Sequence, residues 1–282
     1  MTHELPRILI VDDELDASQN LSDILSDLGF QVDLAHDGPS ALERVRQQVY
    51  DVAVLDLKMP GMNGVELYRR IKAISSGTIA IVVTAFASSQ IAQEALAAGA
   101  TEIIPKPLDL PRLLQRVEHA LRQSLVMIVD DDKDLCDSLW DVLRGHGYRV
   151  CIANDAPSAR DLLAQRRFQI VLIDMRLPQG NGKDVFEFVR HTHADARTIL
   201  ITGYRSETEQ QIAQILQLGA NAVAYKPFDI DQLLKTLHEL AQVKAQHGTA
   251  SLASLVEHCR VARLLHSNIH HAPRPANSRR RR

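Results

Sequence analysis

RILIVDDELD (7–16) returns as LVMIVDDDKD (125–134), and VAVLDLKMPGMNG (52–64) returns as IVLIDMRLPQGNG (170–182). Two further pairs keep the same order: IAIVVTAF (79–86) with RTILITGY (197–204), and AAGATEIIPKPLDL (97–110) with QLGANAVAYKPFDI (217–230). The offset is 118 residues through Thr84 and Thr202 and 120 at Lys106 and Lys226, so the second copy carries two extra residues between them. A period this long exceeds that of solenoid repeats and suits a complete small domain in each copy.

Within a copy, short apolar runs alternate with helical patterns. In the first copy the runs are 8–11, 32–35, 52–55, 79–83 and 102–104. Runs of three to five residues, mostly apolar and rich in β-branched side chains, predict buried strands. Leu15, Leu21, Ile24, Leu25 and Leu28 recur at helical spacing between the first two runs, and Gly29 is placed to close that helix. The expected fold is α/β: two consecutive (βα)5 domains, each a doubly wound parallel sheet with helices on both faces, at 6–122 and 125–243. Gln123 and Ser124 alone link them, too few residues for independent tumbling.

The net charge of −3 is unevenly distributed. Residues 244–282 carry eight Lys/Arg and one acid, a balance of +7 that leaves −10 for residues 1–243. An acidic body argues against specific DNA binding by the folded part. The tail is expected to be partly disordered with a short amphipathic helix at 251–266. No apolar run approaches the ~20 residues that span a bilayer, and no secretory signal pattern opens the chain, so no membrane contact and a cytoplasmic location are expected. Cys136, Cys151 and Cys259 are too scattered for a disulfide framework or metal cluster and read as free thiols.

Ligands of open parallel sheets bind at the carboxyl ends of the strands. There the first copy places Asp12, Asp13, Asp56, Thr84 and Lys106, and the second Asp130, Asp131, Asp174, Thr202 and Lys226. Three carboxylates at one point repel unless a cation neutralises them. Mg²⁺ is held by a few carboxylates with waters and phosphate oxygens. A carboxylate can also act as a nucleophile and become an aspartyl phosphate, with metal, lysine and hydroxyl stabilising the transferred group.

With these residues in hand, the sequence resembles the receiver domain of bacterial two-component response regulators, twice over. The resemblance rests on the acidic pair, the D-x-x-[ML]-P-x-x-x-G stretch, the threonine and the Lys-Pro, all in order and duplicated. It implies a phosphorelay role, with Asp56 and Asp174 as phosphoacceptors and Asp13 and Asp131 as direct Mg²⁺ ligands. Asp12 and Asp130 would support the metal, and the backbone carbonyls of Lys58 and Arg176 would complete its coordination. Lys106, Lys226, Thr84 and Thr202 would stabilise the phosphoryl oxygens. It further implies a histidine kinase or histidine-phosphotransfer protein as donor, a downstream protein partner, and cis bonds at Lys106–Pro107 and Lys226–Pro227. Receivers often carry Tyr or Phe three residues before the lysine; Ile103 and Val223 stand there instead.

Structural roles compete at several positions. Asp13 alone would suit a helix cap, and Gly64 and Gly182 would suit turns. His119, His191 and His193 read as surface residues. His258 lies in a segment lacking other features of a phosphotransfer helix. Two other functions compete with the switch. One is an aspartyl-phosphate phosphatase-type enzyme, whose first-strand Asp-x-Asp would here be Asp12 and Glu14. The other is a DNA-binding regulator lacking its output domain, since the last 39 residues hold no helix-turn-helix pattern.

Overall fold

The computed structural model describes residues 5–178, 180–203 and 209–242, with backbone alone at 209–212. The first copy folds as β1 (Arg7–Val11), α1 (Leu15–Asp27), β2 (Gln31–Ala35), α2 (Gly38–Gln47), β3 (Val52–Leu55), α3 (Gly64–Ile74), β4 (Ile79–Thr84), α4 (Gln90–Ala97), β5 (Glu102–Pro105) and α5 (Leu110–Arg122). The second repeats the order as β6 (Leu125–Val129), α6 (Lys133–Gly145), β7 (Arg149–Ala153), α7 (Ala156–Gln165), β8 (Ile170–Asp174), α8 (Gly182–Thr192), β9 (Arg197–Thr202), α9 (Glu209–Gln217), β10 (Ala222–Tyr225) and α10 (Ile230–Gln242). The strand orders are β2-β1-β3-β4-β5 and β7-β6-β8-β9-β10, all pairs parallel. This is the flavodoxin-like winding, whose order reverses between the first and third strands of each sheet.

Alternation along each strand decides which helices cover which face. Leu9, Val11, Ala53, Leu55, Ala80 and Val82 pack with α2, α3 and α4. Their neighbours Ile8, Ile10, Val52, Val54, Ile79 and Ile81 pack with α1 and α5. The second copy divides the same way, α7, α8 and α9 on one face and α6 and α10 on the other. Gly29 follows α1 with φ +88°, the left-handed conformation that ends a helix.

Two sequence expectations change. His193 is buried, not on the surface: it follows α8 and its Nε2 lies 2.8 Å from the Leu163 carbonyl oxygen. Gly64 and Gly182 open helices instead of making turns. A Cβ at either would collide with the carbonyl oxygen of Asp56 or Asp174, so glycine is required by close approach. The residue before α1 is Glu14 and not Asp13, whereas Asp132 caps α6 by accepting the Leu135 N–H. Cys136 and Cys151 are buried free thiols, as expected. Cys259, His258 and the tail at 244–282 lie outside the described residues. Among the described residues, no helix is long and apolar enough to cross a membrane.

The two copies share a buried contact. Edge strand β7 and the neighbouring helices of the second copy meet the end of the first sheet opposite Asp12 and Asp56. Arg149, 5% exposed, donates to Asp51 Oδ1 at 2.8 Å, just before β3. Arg166 donates to the Tyr50 carbonyl at 2.5 Å. The Ile152 N–H bonds Ser76 Oγ at 2.9 Å, occupying a donor of the edge strand. The Trp140 indole N–H donates to the Ser76 carbonyl at 3.1 Å, while the Lys72 ammonium lies 3.4 Å from a Trp140 ring centroid.

Burial opposes ionisation of Asp51. The charges of Arg149 and Arg166 outweigh it, with hydrogen bonds from Arg149 and the Arg7 backbone, and hold the carboxyl below its ordinary range. A depressed folded-state value stabilises above the unfolded-state pKa of about 3.9 and is lost as pH falls through the folded value. Asp51→Asn therefore lowers the thermal midpoint at neutral pH. Thermal unfolding followed against pH is expected to show the gap to wild type constant down to about pH 5 and closing below about pH 4. A gap unchanged at pH 3 would contradict the charge assignment.

Candidate functional site

At the carboxyl ends of β1 and β3, each buried aspartate is held by both its oxygens. Asp12 Oδ1 accepts the Glu14 N–H at 2.9 Å, and Asp56 Oδ1 accepts the Lys58 N–H at 3.1 Å. These bonds, from a carboxylate to the amide two residues on, turn the chain as it leaves the strand. The other oxygens converge on Lys106, whose Nζ lies 2.8 Å from Asp12 Oδ2 and 2.8 Å from Asp56 Oδ2. Asp12 and Asp56 are buried and Asp13 is exposed; one oxygen from each lies within 4.8 Å of the others.

The second copy repeats the arrangement. Asp130 Oδ1 accepts the Asp132 N–H at 3.1 Å and Asp174 Oδ1 the Arg176 N–H at 2.8 Å. Lys226 Nζ stands 2.7 Å from Asp130 Oδ2 and 2.5 Å from Asp174 Oδ2. One oxygen from each of Asp130, Asp131 and Asp174 likewise lies within 4.8 Å of the others. Thr84 and Thr202 end β4 and β9, both buried. Thr84 Oγ1 accepts the Phe86 N–H at 3.2 Å. Lys106–Pro107 and Lys226–Pro227 are both cis. Thus the structure gathers the side chains of Asp12, Asp13, Asp56 and Lys106 with Thr84 at the adjoining strand end, and likewise their five equivalents.

Burial alone would lower the pKa of Lys106, but the hydrogen bonds it donates to Asp12 and Asp56, and their charges, prevail and raise it. Lys226 is raised by the same balance against Asp130 and Asp174. Asp130 is itself raised, because burial at zero exposure outweighs its bonds to Lys226 and Asp132. Each cluster thus holds three acids against one ammonium, a deficit of positive charge confined to a partly dry crevice. Oxygen-only donors without His or Cys fit a hard divalent cation such as Mg²⁺.

Some neighbours escaped the sequence reading. His36 Nδ1 lies 3.3 Å from the Asp12 carbonyl oxygen, and Asn154 donates to the Asp130 carbonyl at 3.1 Å. They occupy equivalent places after β2 and β7, so the 118-residue offset was the available signal. Lys58 Nζ sits 3.4 Å from the Phe86 ring centroid, joining the loops after β3 and β4. Ile103 and Val223 pack against the α2–α4 and α7–α9 cores instead of placing a ring near the lysine.

Because Lys106 occupies oxygens that a cation would also use, its removal is expected to tighten Mg²⁺ binding to the first copy. Calorimetric titration of Lys106→Met should give a lower dissociation constant than wild type; a weaker one would show that the ammonium is not a competitor.

The family model for the response regulator receiver domain matches residues 8–118 and again 126–238. The response regulator receiver protein of Anaeromyxobacter sp. (strain Fw109-5) is 31% identical over 240 residues, covering 85% of this chain and 97% of that protein. The transcriptional regulatory protein ZraR of Escherichia coli (strain K12) is 39% identical over 124 residues, 44% of this chain but 28% of that protein. A CheY-like receiver domain protein of Methanospirillum hungatei has 32% identity and a TM-score of 0.41, covering 42% of this chain and 94% of its own.

Proposed function

Since the chain belongs to the response regulator receiver family and carries that domain twice, we propose that it is a phosphorelay switch which accepts phosphoryl groups on Asp56 and Asp174. The observation that carries this reading is the single ammonium shared between two buried carboxylates beside a third, exposed one, built twice. The two receivers are assigned to 6–122 and 125–243, with 244–282 as a separate basic tail.

Asp13 and Asp131 would hold Mg²⁺ directly, supported by Asp12 and Asp130, with the carbonyls of Lys58 and Arg176 completing the set. The ion would supply positive charge against the phosphoryl oxygens. The donor is a histidine kinase or histidine-phosphotransfer protein. A carboxylate oxygen of Asp56 bonds to phosphorus as the P–N bond to the donor histidine breaks, and the leaving imidazole nitrogen keeps the electron pair. Lys106 then pairs with a phosphoryl oxygen. Thr84 already accepts from Phe86 N–H and has its own hydroxyl hydrogen to donate. Lys226 would pair likewise with a phosphoryl oxygen on Asp174, with Thr202 at the adjoining strand end.

The output is an altered surface recognised by a downstream protein, and the chain catalyses at most its own phosphorylation and dephosphorylation. ZraR is named a transcriptional regulator, but the match lies within 28% of its length. For the acidic region 1–243 we propose no sequence-specific DNA contact, in a cytoplasmic setting.

Incubation with acetyl phosphate and Mg²⁺, read by intact mass, is expected to add up to two phosphoryl groups. The double variant Asp56→Asn, Asp174→Asn should add none, and Asp13→Ala should lose the label on its own receiver while remaining folded. Undiminished labelling of the double variant would overturn the assignment.

A further inference from the structure

Three strands of the first receiver carry its polar chemistry at one end and are held by the second receiver at the other. Asp56 follows β3, Thr84 ends β4 and Lys106 follows β5. At the opposite ends, Asp51 takes Arg149, Ser76 and Gly77 take Trp140 and Arg149, and Gly99 and Thr101 take Arg144. The Arg144 bonds are 2.8 Å to the Gly99 carbonyl and 3.3 Å to Thr101 Oγ1. The Gly99 carbonyl also accepts the Tyr68 hydroxyl at 3.0 Å. Gly99 has φ +102°, and a Cβ there would lie 2.8 Å from Trp140, so this turn is moulded to α6.

The turn joins α4, which follows the Thr84 loop, to β5, which leads to Lys106. In the second receiver, Trp140 and Arg144 lie on α6, whose cap Asp132 directly follows Asp130 and Asp131. Asp130 anchors the start of that helix. Its Oδ1 accepts the Asp132 N–H, and its carbonyl accepts from Cys136 Sγ and Asn154. Thirteen helical residues then carry any shift about 20 Å to the Gly99 turn as one rigid element. A phosphoryl group on Asp174 supplies the shift: the Lys226 ammonium that now bridges Asp174 and Asp130 turns to the phosphoryl oxygens, and Asp130 exchanges that direct ammonium contact for the ion it would help to hold.

We infer that this contact couples the two sites, so that phosphorylation of Asp174 changes the lifetime of the phosphoryl group on Asp56, with Arg144 as the residue that transmits it. The inference rests on the phosphoacceptor reading above. Coupling requires that the states differ at the contact, and the contact spans the bases of β3, β4 and β5, three of the four strands that bear the site.

The test uses the full chain, labelled with acetyl phosphate, freed of donor and followed by the mass of the peptides carrying Asp56 and Asp174. With Asp174 labelled in wild type, the Asp56 half-life is expected to differ at least about fivefold from that in Asp174→Asn. In an Arg144→Met background, which keeps the aliphatic stem, that difference should collapse. If Arg144→Met does not fold by circular dichroism, Thr101→Val takes its place. Equal half-lives with Asp56 labelled in both proteins would overturn the coupling and leave the phosphoacceptor reading intact. A difference that survives the interface variant would overturn the route through Arg144. No label on Asp56 in any protein would overturn the phosphoacceptor reading and this inference with it.

Discussion

Negative charge brought together at the ends of parallel strands has to be countered, and in each receiver one ammonium does so in part. Lys106 lies 2.8 Å from both Asp12 and Asp56. To reach them it must follow the fifth strand, while the aspartates follow the first and third. The reversal of strand order between β1 and β3 opens the crevice in which they meet. The helices are constrained as well: α3 starts so close to Asp56 that only glycine fits at its first position. Site geometry and fold are therefore one set of constraints, which explains why both copies keep the same residues at the same places.

Much of this was legible in the sequence because it is periodic or repeated. The apolar runs ending in Asp12, Asp56 and Thr84 mark strand ends without reference to structure, and the internal repeat confirms each by its partner. Gly64 could be seen but not understood, since a close approach between a helix and a carbonyl has no local signature. The burial of His193 has no local signature because it depends on α7, thirty residues earlier, whose Leu163 carbonyl it reaches. His36 and Asn154 carry no signal of their own, since histidine and asparagine are ordinary loop residues until the sheet sets them against the first strand.

The contact between receivers was legible only as a short linker. Nothing local marks Arg149 as destined for Asp51, 98 residues away. Its chemistry is polar: Arg149 and Arg166 are nearly buried around one carboxylate, with backbone carbonyls of Tyr50 and Gly77 accepting further donors. Burying charge is costly unless every partner is met, so a displaced orientation would strand guanidinium groups without acceptors. Such a contact specifies one orientation more sharply than an apolar patch of equal size would.

Trp140 is the chain's only tryptophan, and it lies in that contact with its indole N–H on Ser76 and a lysine ammonium against its ring. The intrinsic fluorescence of the protein, excited at the red edge where tyrosine does not absorb, therefore comes from one place. The emission maximum and lifetime report the polarity and charge at the junction without any added label. A movement of the two receivers relative to each other would be visible as a change of colour.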